Sequence, residues 1–281
     1  MTFSIVGYDP AEKEWGIAVQ SKFLGVGAVV PWAKAGVGAV ATQSYANTSF
    51  GPEGLAAMEQ GKNAEETLRD LLEGDPDKEM RQVGLIDKDG RPATFTGSDC
   101  YDWAGGITGP HFAAQGNILV DENTVQAMAD TFTSTEGTLA ERLLTALDAG
   151  QKAGGDSRGQ QSAAILVVKD QGGYGGFNDR FIDLRVEDHS KPITELIRIY
   201  HLHQLYFAHS KEENIRAIEG NIKSDLAGQL VRHGYLDDRN ADETVLYKAL
   251  TDFLHTENFE GREQPQGRID LEVLTFMKNM K

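Results

Sequence analysis

The chain enters its core at once. "TFSIVGYDP" (residues 2–10) places Phe3, Ile5 and Val6 behind one small residue, Thr2, where most soluble chains carry a frayed polar tail. A strand that starts this early must be paired and covered by later segments of the chain. "EWGIAVQSKF" (14–23) reads as the returning strand across the turn "DPAEKE". The stretch "LGVGAVVPWAKAGVGAVATQS" (24–44) predicts two more short strands around Pro31 and Trp32, its glycines marking close sheet-on-sheet packing. Helices are predicted over 51–61 and 63–75; Asn63 with Glu66 three residues on gives the second a capping-box start. "RQVGLIDKDGRPATFTGS" (81–98) reads as a hairpin turning at "KDGR", and "HFAAQGNILV" (111–120) as a strand. Two longer helices come next, "DENTVQAMADTFTST" and "TLAERLLTALDAGQKAG". In the latter, Leu139, Leu143, Leu144 and Leu147 form one apolar stripe. Beyond the turn "GGDSRGQQ" lie the strands "SAAILVVKD" and "FIDLRVEDH".

This order of strands, helices, strands, helices and strands is neither a βαβ series nor an all-β chain. It predicts an α+β fold of stacked sheets covered by helices. Near residue 190 the pattern becomes almost wholly helical. We expect a first domain over 1–190, a linker or docking helix over 191–209, and a small all-α module over 210–281. In that module Leu226, Leu230, Leu236, Leu246, Leu250 and Phe253 can supply a core.

A net charge of −16 argues against nucleic acid or an anionic membrane as partner, since both need a basic face. The one cysteine, Cys100, leaves no intrachain disulfide and suits a reducing cytoplasm. No signal-peptide pattern and no run long enough to span a bilayer is visible, so a cytoplasmic protein is expected. "GVGAVA" (36–41) falls short of a dinucleotide fingerprint, and "GGYGGF" (172–177) lacks the lysine of a phosphate loop. His201 and His203 are two apart on a predicted helix, and His209 does not complete a helical metal pair. No metal and no cofactor is expected.

What remains is a polar set within the strand clusters: Thr2, Ser4, Ser21, Lys34, Gln43, Gln82, Asn117, Arg158 and Ser162. Thr2 and Ser4 share a face of the first strand, because strands repeat every two residues. Removal of Met1 would give Thr2 a hydroxyl and a free α-amine, a nucleophile and base in one residue. The plainer role is that of a β-former. Lys34, in "PWAKAGVGAV", either snorkels to solvent or is held inside by partners.

"TFSIVG", "GIAVQSKFLGVGAVVPWAKAGVGAVATQS", "RQVGLID", "FTGSDC", "AAQGNIL", "LAERLLTAL" and "GGDSRGQQSAAILVV" together resemble the bacterial family catalogued as domain of unknown function 1028, over residues 2 to 190. The resemblance implies an N-terminal-nucleophile hydrolase fold, a four-layer αββα sandwich of two antiparallel sheets between helical layers. It implies cleavage of a small amide or peptide-like substrate, with Thr2 as nucleophile after loss of Met1. Lys34 would lie beside Thr2 and favour its neutral amine, and Ser21, Gln43 and Asn117 would orient groups or supply the oxyanion hole. Gln43, Gln82, Arg158 and Ser162 are the substrate-binding candidates, Arg158 for a carboxylate. The aspartate that the proteasome-like branch carries after its second strand has no counterpart in "VQSKF". The tail, especially "LAGQLVRHGYLDD", is similar to a peptidoglycan-binding module, which implies peptidoglycan fragments as partners; a homo-oligomer is also expected. The alternative is a non-catalytic binding or scaffold protein whose tail recognises cell-wall glycan.

Overall fold

A computed structural model describes residues 2–280. The chain forms two compact units, the first ending at Arg198 and the second starting at Ile199. The first unit opens with β1 (Thr2–Asp9) and β2 (Glu14–Ser21), paired antiparallel from Thr2↔Ser21 to Asp9↔Glu14. Then come β3 (Pro31–Lys34), β4 (Gly38–Ser44), α1 (Phe50–Glu59), α2 (Ala64–Glu73), β5 (Arg81–Asp87) and β6 (Pro92–Thr96). They are followed by β7 (Gly105–Gly109), β8 (Phe112–Asn117), α3 (Asn123–Ser134), α4 (Leu139–Lys152), β9 (Ser162–Val168) and β10 (Arg180–Val186); α5 (Pro192–Phe207) runs across the boundary between the units.

The strands form two antiparallel sheets, one ordered β10-β9-β2-β1-β8-β7 and one ordered β3-β4-β5-β6. β1 therefore sits inside the larger sheet, between β2 and β8. Period-two alternation sorts its side chains between two cores. Val6, Ile17, Val19, Leu166 and Val168 meet Ala39, Ala41 and Ile86 of the smaller sheet. On the other face of the larger sheet, Gly7 lies under Phe132 and Leu139 and Gly16 under Leu143, so α3 and α4 pack directly on the backbone. Val40, Val83 and Leu85 of the smaller sheet pack against Phe50, Leu68 and Leu71 of α1 and α2. The Asn63–Glu66 capping box closes the start of α2, and Thr138 with Glu141 builds the same device on α4.

β7 is absent from the sequence-based expectation. "GGITG" has three glycines in five residues and forms a partly exposed edge strand, so neither its composition nor an apolar run marks it.

The second unit contains β11 (Ile215–Ala217), α6 (Gly220–Arg232), α7 (Glu243–Thr256), β12 (Arg268–Asp270) and α8 (Leu271–Asn279). It is helical apart from the short antiparallel pair β11–β12. Leu226, Leu230, Leu236, Leu246, Leu250 and Phe253 are buried together with Phe259 and Met277. Among the described residues no helix is long and apolar enough to cross a membrane.

Candidate functional site

Thr2 begins β1 opposite Ser21, the last residue of β2, and Asn117, the last of β8. The Thr2 and Ser21 hydroxyls share a hydrogen bond of 3.1 Å. Thr2 is 6% exposed, and Ser21 and Asn117 are buried. Two residues on, Ser4 faces the smaller sheet. Gln115 Nε2 donates to the Ser4 hydroxyl (2.7 Å), which donates to Gln43 Oε1 (2.6 Å). Gln43 Nε2 donates to Gln82 Oε1 (2.8 Å) and, at 3.3 Å, to the Thr2 carbonyl. Asn117 Nδ2 donates to the same Gln82 oxygen (2.9 Å), and Gln82 Nε2 donates to the Gly116 carbonyl (2.7 Å) and to Thr96 Oγ1 (2.9 Å). A buried chain of this kind is rigid, because each bond polarises the next and breaking one strands a polar group.

Gln43 and Gln82, the substrate-binding candidates, lie inside this chain of bonds. They are buried with their amides engaged between the facing sheets, and they hold the strand that carries Thr2. Gln115 completes the chain. It stands two residues before Asn117 in "FAAQGN" and shares its face by strand period, a signal the sequence reading passed over.

Lys34 is not beside Thr2. It pairs with Gly38, Gly38 with Asp87, and the Asp87 carbonyl accepts the indole N–H of Trp15, which pairs with Tyr8. Lys34 is therefore level with the far end of β1, about 20 Å from Thr2 at roughly 3.3 Å per strand residue. The turn between β3 and β4 places it at a hairpin tip, exposed and paired with Glu59. Ser162 is also redirected. Its hydroxyl accepts from Val26 N (3.1 Å) and donates to the Phe23 carbonyl, clamping the loop after β2.

Arg158 does reach the Thr2 end. Its Nη2 donates to the Lys22 carbonyl (3.3 Å) and lies 3.6 Å from the Asp156 carboxylate. Asp156, buried, was missed. It accepts from the backbone N–H groups of Lys22 (2.9 Å) and Arg158 (2.8 Å), joining the loop after β2 to "GGDSRGQQ". The signal available was an aspartate inside a glycine-rich turn, the residue type that bonds its own backbone two residues on.

Beside this cluster, Arg81 Nε donates to Asp75 (2.8 Å) and its Nη1 to the Tyr45 carbonyl (2.6 Å), fixing the loop after β4. The Arg81 bond, helped by the Asp77 backbone and Asn47, holds the Asp75 carboxyl down to about 2. Burial pushes the Cys100 thiol up, and its S–H donates to the Arg81 carbonyl. Among the described residues no group of His, Cys, Asp and Glu could hold a metal ion.

The second unit has its own cavity of about 330 Å³, lined in part by Tyr247, Lys248, Thr251, Glu263, Gln264 and Arg268. Arg262 forms a buried wall: Nη1 donates to Asp270 (2.8 Å) and Glu272 (2.9 Å), and Nε and Nη2 donate to the Leu205 and Gln204 carbonyls. Burial opposes ionisation of Asp270, yet bonds from Ser210, the Glu272 amide and Arg262 hold its carboxyl below the usual range.

Residues 206–277 match a family model described as "Putative peptidoglycan binding domain". No curated protein is significantly similar to the chain. A crystal structure of a Silicibacter pomeroyi protein of the DUF1028 family is similar at 31% identity, with a TM-score of 0.66, covering 72% of this chain and 89% of that one. Residues 2–196, which hold the Thr2 cluster, match the model described as "Family of unknown function (DUF1028)", and the chain belongs to that family.

Proposed function

We propose that the chain is a binding protein directed at peptidoglycan fragments, with the recognition site in its C-terminal unit. The observation that carries this is the cavity of about 330 Å³ inside the segment similar to the peptidoglycan-binding family. Its lining offers donors (Lys248, Gln264, Arg268), acceptors (Glu263, Thr251) and one aromatic ring (Tyr247). That mixture suits a ligand rich in hydroxyls and amides. Soluble muropeptides are the ligands we assign, in keeping with the cytoplasmic location expected from the sequence. Calorimetric titration with purified muropeptides should show saturable binding, weakened about tenfold or more by Tyr247→Ala and by Arg268→Gln. Equal affinity in wild type and both variants would move the site elsewhere, and no heat at millimolar ligand would retire the reading.

A second reading, amide hydrolysis by the N-terminal domain, is favoured by one relationship: the Thr2 hydroxyl sits 3.1 Å from that of Ser21 at the start of an interior strand. The packing of α3 and α4 on one sheet, and of α1 and α2 on the other, supports a four-layer αββα arrangement of the N-terminal-nucleophile type. Met1 lies outside the described residues. Once it is removed, the Thr2 α-amine, with an ordinary pKa of roughly 7.7–8.0, takes the proton from Oγ1 as the oxygen attacks an amide carbonyl; it passes that proton to the leaving nitrogen as the C–N bond breaks, and water then hydrolyses the Thr2 ester, releasing the acid and restoring the hydroxyl. Ser21 orients Oγ1, and Lys34 has no part. Intact mass should show loss of Met1, and Thr2→Ala should abolish turnover of small amides while Thr2→Ser keeps some. Turnover by Thr2→Ala equal to wild type would remove Thr2 from the chemistry.

A further inference from the structure

Large apolar side chains gather on the loops at the Thr2 end. Phe23 (51% exposed) and Leu24 (62%) follow Ser21; Tyr45 (54%) follows β4; Tyr101 (58%) and Val120 (56%) flank the end of β8. Four of these five backbones are tied down. The Phe23 carbonyl accepts from Ser162, the Tyr45 carbonyl from Arg81, and the Tyr101 carbonyl from Ile118 N (2.9 Å). Val120 N donates to the Gly155 carbonyl (3.1 Å). Tyr45 and Tyr101 meet edge to face at 6.2 Å, with their hydroxyls 3.3 Å apart. Exposed rings on fixed loops form a preorganised apolar surface, the kind that marks a ligand site. Cations adjoin it: Arg158, half exposed and held on the carbonyl of Lys22, the exposed Lys22 itself before Phe23, and Arg81 on the Tyr45 carbonyl.

We propose that this rim is a subsite for the aromatic or large apolar side chain of a small amide bearing a free carboxylate, with Arg158 holding the carboxylate. The proposal deepens the hydrolase reading and rests on its placement of the site at Thr2. Tyrosine pairs bind aromatic side chains at little entropic cost, and a guanidinium attracts a carboxylate by a charge-assisted hydrogen bond. A second copy of the chain is the poorer occupant, because each copy brings a further charge of −16.

The test uses full-length, Met1-free Thr2→Ala protein, so that no probe is consumed, and ligand-detected NMR with three probes: N-acetyl-L-phenylalanine, its primary amide and N-acetyl-L-alanine. N-Acetyl-L-phenylalanine should bind about tenfold more tightly than either other probe. Tyr101→Ala and Phe23→Ala should each erase the preference over the alanine probe. Arg158→Gln should erase the preference over the primary amide and keep the aromatic one. Equal binding of all probes, no binding at millimolar concentration, or unchanged preferences in the rim variants would overturn the proposal. So would self-association of the wild type that Phe23→Ala abolishes, which would make the rim an interface between copies. Binding as expected with no turnover by the Thr2 protein sinks only the hydrolase reading. Turnover whose KM ignores the aromatic side chain sinks only this one.

Discussion

Ser4 of β1 donates its hydroxyl to Gln43 Oε1 of β4 at 2.6 Å, across the gap between the two sheets, while accepting from Gln115 Nε2 at 2.7 Å. One hydroxyl therefore satisfies two amides that have no access to water. Ser4→Ala should destabilise the protein by about 1–3 kcal/mol in urea denaturation, since it leaves a buried donor and a buried acceptor without a partner. Gln43→Leu should cost a similar amount, and the double variant less than the sum. Strict additivity would mean that the two side chains are not coupled.

Gly84 of β5 makes room for the Gln115 amide: a Cβ there would stand 2.2 Å from Gln115 Oε1. Gly84→Ala must push Gln115 off Ser4, and a loss of about 2 kcal/mol or more is expected. Gly261, with nothing within 4 Å of its Cβ position, is the control, and Gly261→Ala should be near neutral. Matching melting temperatures for the two variants would show that the smaller sheet yields at no cost.

Asp75 has a folded pKa of about 2 against an ordinary 3.8, chiefly through its bond from Arg81. A depressed carboxyl pKa adds stability that is fully present above the unfolded value and is lost as pH falls through the folded one. Asp75→Asn should therefore lose on the order of 1–2 kcal/mol at pH 7. The gap to wild type should narrow between about pH 4 and pH 2. A gap that stays constant through that window would assign the loss to packing.

Gln20 of β2 is fully buried opposite Phe3 and Ala163, and neither atom of its amide has a hydrogen-bond partner among the described residues. Gln20→Met keeps the length of the side chain and removes the unpaired groups. We expect a gain of about 1–2 kcal/mol, read as a higher melting temperature. A destabilised variant would show that the amide is satisfied by bound water.

Local pattern carried most of the elements. The early apolar residues of "TFSIVG" and the continuous apolar run "SAAILVV" marked strands buried on both faces, Asn63 and Glu66 marked the start of α2, and the leucines of α6 and α7 marked the core of the C-terminal unit. The period of two also set Thr2 and Ser4 on one face, because side-chain direction along a strand depends only on the next few residues. Register between distant strands was not legible. That Ser4 meets Gln43, that Gln115 fits over Gly84, and that Asp156 ties the Lys22 backbone depend on how two sheets stack and twist. Lys34 shows the same limit: its strand context read correctly, but the β3–β4 turn carried it to the opposite end from Thr2. β7 and the β11–β12 pair left no local trace, since three or five residues rich in glycine or charge become strands only when a partner edge supplies their hydrogen bonds. The sequence by itself determined which segments bury and which residue begins the first strand. The tertiary structure decided which polar groups meet, because a hydrogen bond between residues far apart in the chain exists only once the packing of everything between them is complete.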